Sequence, residues 1–467
     1  MSATQLARLV AMQEVTCEEV MRAVVDQIQR VEPSVNAFAS FDGEGALAEA
    51  RSADRALQGG AVTGPLHGIP VTVKDLIDVA GFETGYGSWL MEGNIATADA
   101  VAVGRLREAG AIIIGKTTTP EFAGSVLTES ERFGVTRNPW DLSRTPGGSS
   151  GGAGAVVAAG CAPLGLATDG AGSARIPASC CGVLGLKPTL GRIPNPQAPD
   201  LFANFTHLGI VARAVDDVAM MLGVLEGPHP GDPWSVARAW PSVDGEQGLS
   251  PTFRAFYFSL MGNARLDSSV DRLCRQAVNA LASPQDVRID DGPPVPDWGI
   301  DASRTIMRGL MSARMASFDA AERSRMGAGM RRAIAEGERM SAEAMKAAPL
   351  LRSQLFRTVE SLLEECDLLL SPTLSAPPPA ADFDPVGEFA VEGEAVGDLR
   401  SGWFTYPTPF NLTGHPAISV PVGFTSDGLP VGLQAVAGFG QEALLLDVAR
   451  ALQQHFDWCA EWPVLAI

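Results

Sequence analysis

From residue 67 onward, short runs rich in β-branched residues alternate with stretches of helical spacing, and this alternation most constrains the fold. "GIPVTVKD" (68–75) reads as a buried strand ending in charge, "ADAVAVGRLREAG" (98–110) as a helix and "AIIIGKT" (111–117) as a second strand. "SGGAGAVVAAG" (150–160) follows as a small-residue helix packed closely on its neighbours, and "APLGLATD" (162–169) as the next strand. Strands alternating with helices predict an α/β sheet with helices on its faces. Residues 3 to 57 read as two helices, with Thr16 followed by acids as a cap for the second. The stretch from about 215 to 365 reads as strongly helical. After the proline-rich loop "SAPPPAADFDP" (375–385), strand-and-turn character returns in "PAISVPVGFTSDGLPVGLQAVAG", and the helix "EALLLDVARALQQHF" closes the chain.

Composition excludes several classes of function. The 467 residues carry a formal net charge of −19, which argues against nucleic acid, because binding phosphates needs a basic patch. Seven cysteines lack a framework spacing, which suggests a reducing compartment and a cytoplasmic protein. The five histidines are far apart and no CxxC appears, so no metal site is expected. The N-terminus lacks a basic segment followed by an apolar one, and the longest apolar run is too short and too broken to span a membrane.

The glycine-rich stretch "TPGGSSGGAGA" (145–155) raises the question of what approaches its backbone. A P-loop needs Lys and Ser/Thr where Ala153 and Gly154 stand. Ser149 and Ser150 each match G-x-S-x-G, but the preceding "TRNPWDLSRTP" is a loop rather than the strand a nucleophile elbow requires. A second glycine-flanked serine, Ser173, follows in "GLATDGAGSARIPASCC". Upstream, Lys74 ends an apolar strand, where burial would lower its pKa and make a neutral amine available as a base. A salt bridge to Asp75 is the structural alternative for Lys74. The methionines 307, 311, 315, 326, 330, 340 and 345 read either as core filling or as an adaptable wall of a substrate pocket.

Together, "GIPVTVKD", "TRNPWDLSRTPGGSSGGAGAVVAAG", "GLATDGAGSARIPASCCGVLGLKPT" and "FNLTGHPAISVPVG" resemble the amidase signature family. The resemblance implies a single amidase domain over 1–467, with a large mixed twisted β-sheet covered by helices on both faces. Within it, 60–230 would be the signature core, 235–365 a helical insertion lining the pocket, and 366–467 the C-terminal part of the core. It implies a Ser–cis-Ser–Lys triad: Ser173 as nucleophile, Ser149 on a cis peptide as the bridging serine and Lys74 as base. The N–H groups of Gly170, Ala171, Gly172 and Ser173 would form the oxyanion hole, with Ala171 standing where members commonly have glycine. Ser150, Thr168, Asp169 and Arg175 would support the loops, Arg175 alternatively meeting substrate.

The implied activity is hydrolysis of amides, with carbamates and esters open to the same acyl chemistry, as in aryl acylamidases, nylon-oligomer hydrolases and urethanases. No cofactor, nucleic acid or membrane is implied, and the chain would act as a monomer or homodimer on a small-molecule substrate. "SGWFTYPTPFN" (401–411) and the methionines point to an apolar or aromatic substrate group. The alternatives are a glutaminase subunit of a tRNA-dependent amidotransferase and a ureide hydrolase of the allophanate or carboxybiuret type. A binding protein on a retired fold fits poorly with Lys74, Ser149 and Ser173 all being present.

Overall fold

The computed structural model describes residues 1–236, 240–243, 249, 252–282 and 287–465. Among them, eleven strands form one mixed sheet. From one edge to the middle, Phe38–Phe41, Ile112–Thr117, Pro70–Lys74, Leu164–Asp169, His207–Ala212 and Leu184–Lys187 lie side by side. Ala417–Phe424, Pro430–Ala437, Leu368–Pro372, Arg254–Tyr257 and Arg288–Asp291 continue to the other edge. Pro70–Lys74 runs parallel to both of its neighbours, so its C-terminal end meets the C-terminal end of Leu164–Asp169. Ligands of open α/β sheets commonly bind beyond such carboxyl ends.

Strand periodicity decides which side chains meet. Val71 and Val73 enter the core on one face, against the helices Val101–Glu108 and Val215–Leu225. Successive strand residues point to opposite faces, so Thr72 and Lys74 are directed to the other face. There the helix Gly151–Ala158 packs, every residue of it buried. Close packing demands its small residues: a Cβ on Gly152 would stand 2.5 Å from Thr118 Oγ1 and 2.6 Å from the carbonyl oxygen of Ala37. The glycines after Ser150 therefore make room for the protein's own backbone.

Two expectations change in detail. The N-terminal region contains three helices, Ala3–Ala11, Cys17–Val35 and Gly43–Gln58, and the edge strand Phe38–Phe41. Thr16 does cap the second helix, in a capping box with Glu19. The stretch 215–365 is not purely helical, because Arg254–Tyr257 and Arg288–Asp291 pair in parallel at the sheet edge. Both are only four residues long and "RIDD" has no buried residue, so neither offers a run long enough for its period to be read. The helices Ile300–Met315, Ala320–Ser324, Ala328–Glu338 and Ala342–Glu365 follow. Met311, Met315, Met326 and Met330 form a small core there with Phe122, while Met307 and Met330 also line a large cavity. Core filling accounts for Met311, Met315 and Met326, while Met330 belongs to the core and the cavity wall alike. Among the described residues, no helix is long and apolar enough to cross a membrane, and all seven cysteines are free.

Gly152→Ala is expected to lower the melting temperature, since overpacking a filled core costs about 1–3 kcal/mol. Gly104→Ala, in the helix Val101–Glu108 with nothing within 4 Å of its added Cβ, is expected to hold or raise it. Thermal melts of the two variants check the pair.

Candidate active site

Lys74 is fully buried at the end of its strand. Its Nζ lies 2.7 Å from Ser149 Oγ, 2.9 Å from Ser150 Oγ and 2.8 Å from Thr168 Oγ1. The alternative partner Asp75 is not used. Asp75 faces the opposite way, accepts the N–H of Gly85 at 2.9 Å and stands 3.7 Å from Lys116 Nζ. Burial pushes the Lys74 amine well below its ordinary pKa, against a weaker pull upward from the Asp169 charge.

The three hydroxyls around Nζ are not equivalent. Ser150 donates its proton to the carbonyl oxygen of Thr168 at 3.0 Å, so towards Nζ it can only accept. A neutral amine has two protons and one lone pair. Donation to Ser150 and Thr168 leaves the lone pair for the Ser149 hydroxyl.

Ser149 is set by the loop that precedes its helix. The Gly148–Ser149 peptide bond is cis, and Gly147 takes the left-handed φ of +76°. Thr128 holds the loop from the side, its hydroxyl donating to the carbonyl of Gly147 at 2.7 Å and accepting from Gly151 N–H at 3.2 Å.

Ser173 sits on the second loop, between the strand Leu164–Asp169 and the helix Arg175–Cys181. The two loops meet through the main chain, where Ser150 N–H donates to the Ser173 carbonyl at 3.1 Å. Among the described residues, the hydroxyls of Ser173 and Ser149 are not hydrogen-bonded to each other.

Asp169 organises this second loop. Its carboxylate accepts from the N–H groups of Gly172 at 2.7 Å, Ala174 at 3.2 Å and Arg175 at 3.4 Å. It also takes two bonds from the Arg175 guanidinium, both at 3.0 Å. Burial alone would raise this carboxyl, but Arg175, with further help from Lys187 and Asn411, holds it well below the usual carboxylate range. Arg175 also donates to Gln434 Oε1 and Asn411 Oδ1, both at 2.6 Å. It is fully buried and braces the loop, so the alternative contact with substrate is set aside. One expectation needs correction. The Gly172 N–H is taken up by Asp169 and is not free to act in an oxyanion hole. The N–H groups of Gly170, Ala171 and Ser173 have no acceptor among the described residues. Ala171 lies outside the left-handed region that Gly172 occupies at φ +106°, so its methyl group fits the local backbone.

Asn411, Gln434 and Thr128 also hold the two loops in place, and nothing local marks Gln434 or Thr128 in the sequence. Asn411 stands in "FNLTGHP", whose distinctiveness was visible while its role was not. It donates to the carbonyl of Asp169 at 2.7 Å and to its carboxylate at 2.9 Å.

Ser173 and Ala171 line a cavity of about 550 Å³ together with Val126, Met307, Met330 and Phe404. Of the aromatics in "SGWFTYPTPFN", Phe404 reaches this cavity, whereas Trp403, Tyr406 and Phe410 go to the core. The cavity is less apolar than the sequence suggested, because Arg304, Arg308, Arg400 and Glu129 also face it. No group of histidine, cysteine and acidic residues suited to a metal ion occurs among the described residues.

Arg175→Met should destabilise the fold by about 3–5 kcal/mol, since it leaves the buried Asp169 charge unpaired. The Asp169 pKa is depressed by folding, so its contribution is complete above the ordinary aspartate value of about 3.9 and is lost as pH falls below it. Denaturation of wild type and variant at pH 7 and pH 3 should therefore show the gap between them narrowing at the lower pH.

Residues 19–446 match the Amidase family model. Over 99% of its length the chain is 37% identical to an acylamidase of Rhodococcus erythropolis, covering 97% of that protein. It is 35% identical to a 6-aminohexanoate-cyclic-dimer hydrolase of Paenarthrobacter ureafaciens, over 99% of this chain and 96% of that one. A crystal structure of a bacterial aryl acylamidase superposes with a TM-score of 0.90 at 25% identity, covering 99% of both chains. With a large mixed sheet flanked by helices and matches along nearly its whole length, the chain belongs to the amidase signature family of enzymes that hydrolyse carbon–nitrogen bonds.

Proposed function

We propose that this protein hydrolyses acyl amides through a covalent ester on Ser173, with Ser149 and Lys74 moving the protons. The observation that carries the reading is the fully buried Lys74 amine, surrounded by hydroxyls and pushed towards its neutral form.

Ser173 Oγ attacks the carbonyl carbon while its proton passes to Ser149 Oγ, and the Ser149 proton passes to the lone pair of Lys74 Nζ. The oxyanion forms against the N–H groups of Gly170, Ala171 and Ser173, each such donor being worth about 2.7–4 kcal/mol in comparable sites. As the tetrahedral intermediate collapses, Ser149 donates its proton to the leaving nitrogen and regains one from Lys74. The C–N bond breaks and the amine departs, leaving the acyl group on Ser173. Water then attacks the ester carbon as its proton passes through Ser149 to Lys74; the C–O bond to Ser173 breaks, Ser173 Oγ takes a proton back along the same path, and the carboxylic acid leaves. The Ser173–Ser149 hydrogen bond forms as substrate fills the cavity, since catalytic contacts are often long in the unliganded state. Carbamates and esters follow the same route with a different leaving group.

Ser173→Ala should abolish hydrolysis of a chromogenic anilide while leaving the melting temperature near wild type; near-normal turnover would contradict the nucleophile assignment. Lys74→Ala should lower kcat by about 10²–10⁴, the usual share of a general base. The wild-type rate should climb with pH as Lys74 loses its proton and level off well below the pH at which an exposed lysine titrates. An acid limb that persists unchanged in the surviving activity of Lys74→Ala would assign it to another group. Turnover of free glutamine with none of any anilide would favour the glutaminase alternative.

A further inference from the structure

Arg400 stands on the short helix Leu399–Gly402 and lines the same cavity as Ser173. Its guanidinium lies over the Phe404 ring, 5.1 Å from the centroid, and Nη2 is 3.6 Å from Met307 Sδ. Neither contact neutralises a charge. Among the described residues, Nη1 is buried without a hydrogen-bond partner. The carboxylates around it are already engaged, Asp398 with Arg304 at 3.1 Å and Glu336 with Arg308 at 3.0 Å. Glu336 is further shared with Arg332 at 2.9 Å, so Arg304, Arg308 and Arg332 take up these two carboxylates. Burial, and then the charges of Arg308 and Arg304, push the Arg400 guanidinium down to about 10. Glu129 lines the cavity too but shows the opposite balance: burial and then the acids Glu131, Asp384 and Asp382 raise its pKa.

A guanidinium presents its donors as a planar fork, and a carboxylate matches that fork with two parallel hydrogen bonds. We propose that Arg400 forms a carboxylate-binding subsite, and that the substrates of this enzyme are amides carrying a free carboxylate away from the scissile bond. Resting on the hydrolase reading above, this names the class of amide that site takes. Phe404 and Met307 hold the guanidinium flat while leaving its charge for the ligand. The neighbouring cations Arg304 and Arg308 are held in ion pairs with Asp398 and Glu336 and do not compete as acceptors.

Two measurements on the full-length protein test this. The first compares kcat/KM for matched pairs: glutaryl-4-nitroanilide against pentanoyl-4-nitroanilide, and 4-acetamidobenzoate against acetanilide. Wild type should favour the charged member of at least one pair by tenfold or more. In Arg400→Met that preference should fall at least tenfold, through KM rather than kcat, and Arg400→Lys should restore part of it. Preference for the neutral member in both pairs, or an equal preference in wild type and Arg400→Met, would overturn the proposal.

The second measurement needs no turnover: glutarate should raise the melting temperature of wild type and of Ser173→Ala, but not of Arg400→Met, whereas pentanamide should not discriminate. A glutarate shift without hydrolysis of any substrate would keep the subsite and remove the hydrolase reading. Hydrolysis without a glutarate shift or a charge preference would remove the subsite alone.

Discussion

A lysine amine held at the end of a buried strand, among hydroxyls and with no ion pair among the described residues, is the condition on which the site depends. Dehydrating an ammonium costs far more than three neutral hydroxyls return, so the balance moves to the free amine. The sheet imposes this position. Val71 and Val73 are fixed in the core on one face, and the period of two then sends Lys74 to the other, under the helix Gly151–Ala158. Asp169 is the nearest charge that could reverse the effect. It is bound to Arg175, which limits its pull on Lys74.

The two glycine-rich loops divide the work between them. The first brings Ser149 and Ser150 onto the amine, and Thr128 fastens it from the side. The second presents Ser173 to the cavity and is fastened from below by Asp169, Arg175, Asn411 and Gln434. These four residues come from three separate parts of the chain: the end of Leu164–Asp169 with the helix after it, the helix Thr408–Thr413 and the strand Pro430–Ala437. A fully hydrogen-bonded buried network of this kind holds a loop rigidly, and precise placement is what proton transfer between hydroxyls requires.

Some of this was visible in the sequence. Lys74 breaks the apolar pattern of its strand, and the glycine-flanked serines stand out by composition. The alternation of strands and helices after residue 67 also carried the architecture. Asn411 and Gln434 were hidden because their partners lie more than 200 residues away and their local settings are an ordinary helix and strand. The last two strands of the sheet, at 254–257 and 288–291, are too short to show a period. That the Gly172 N–H is already taken up depends on the fold of the loop itself, because only the turn after Asp169 brings that carboxylate back onto the N–H. The charge of the cavity was hidden for a related reason. Arg304, Arg308 and Arg400 sit in helical sequence that reads as an ordinary charged surface.

The central claim is that Ser173, and neither serine of the first loop, takes the acyl group. Mass spectrometry of the enzyme quenched during turnover of a slowly deacylating ester tests it most directly. The account predicts one acyl mass, carried by the peptide that contains Ser173 and absent from the peptide that contains Ser149 and Ser150. An acyl group on Ser149 or Ser150, with Ser173 unmodified, would contradict it.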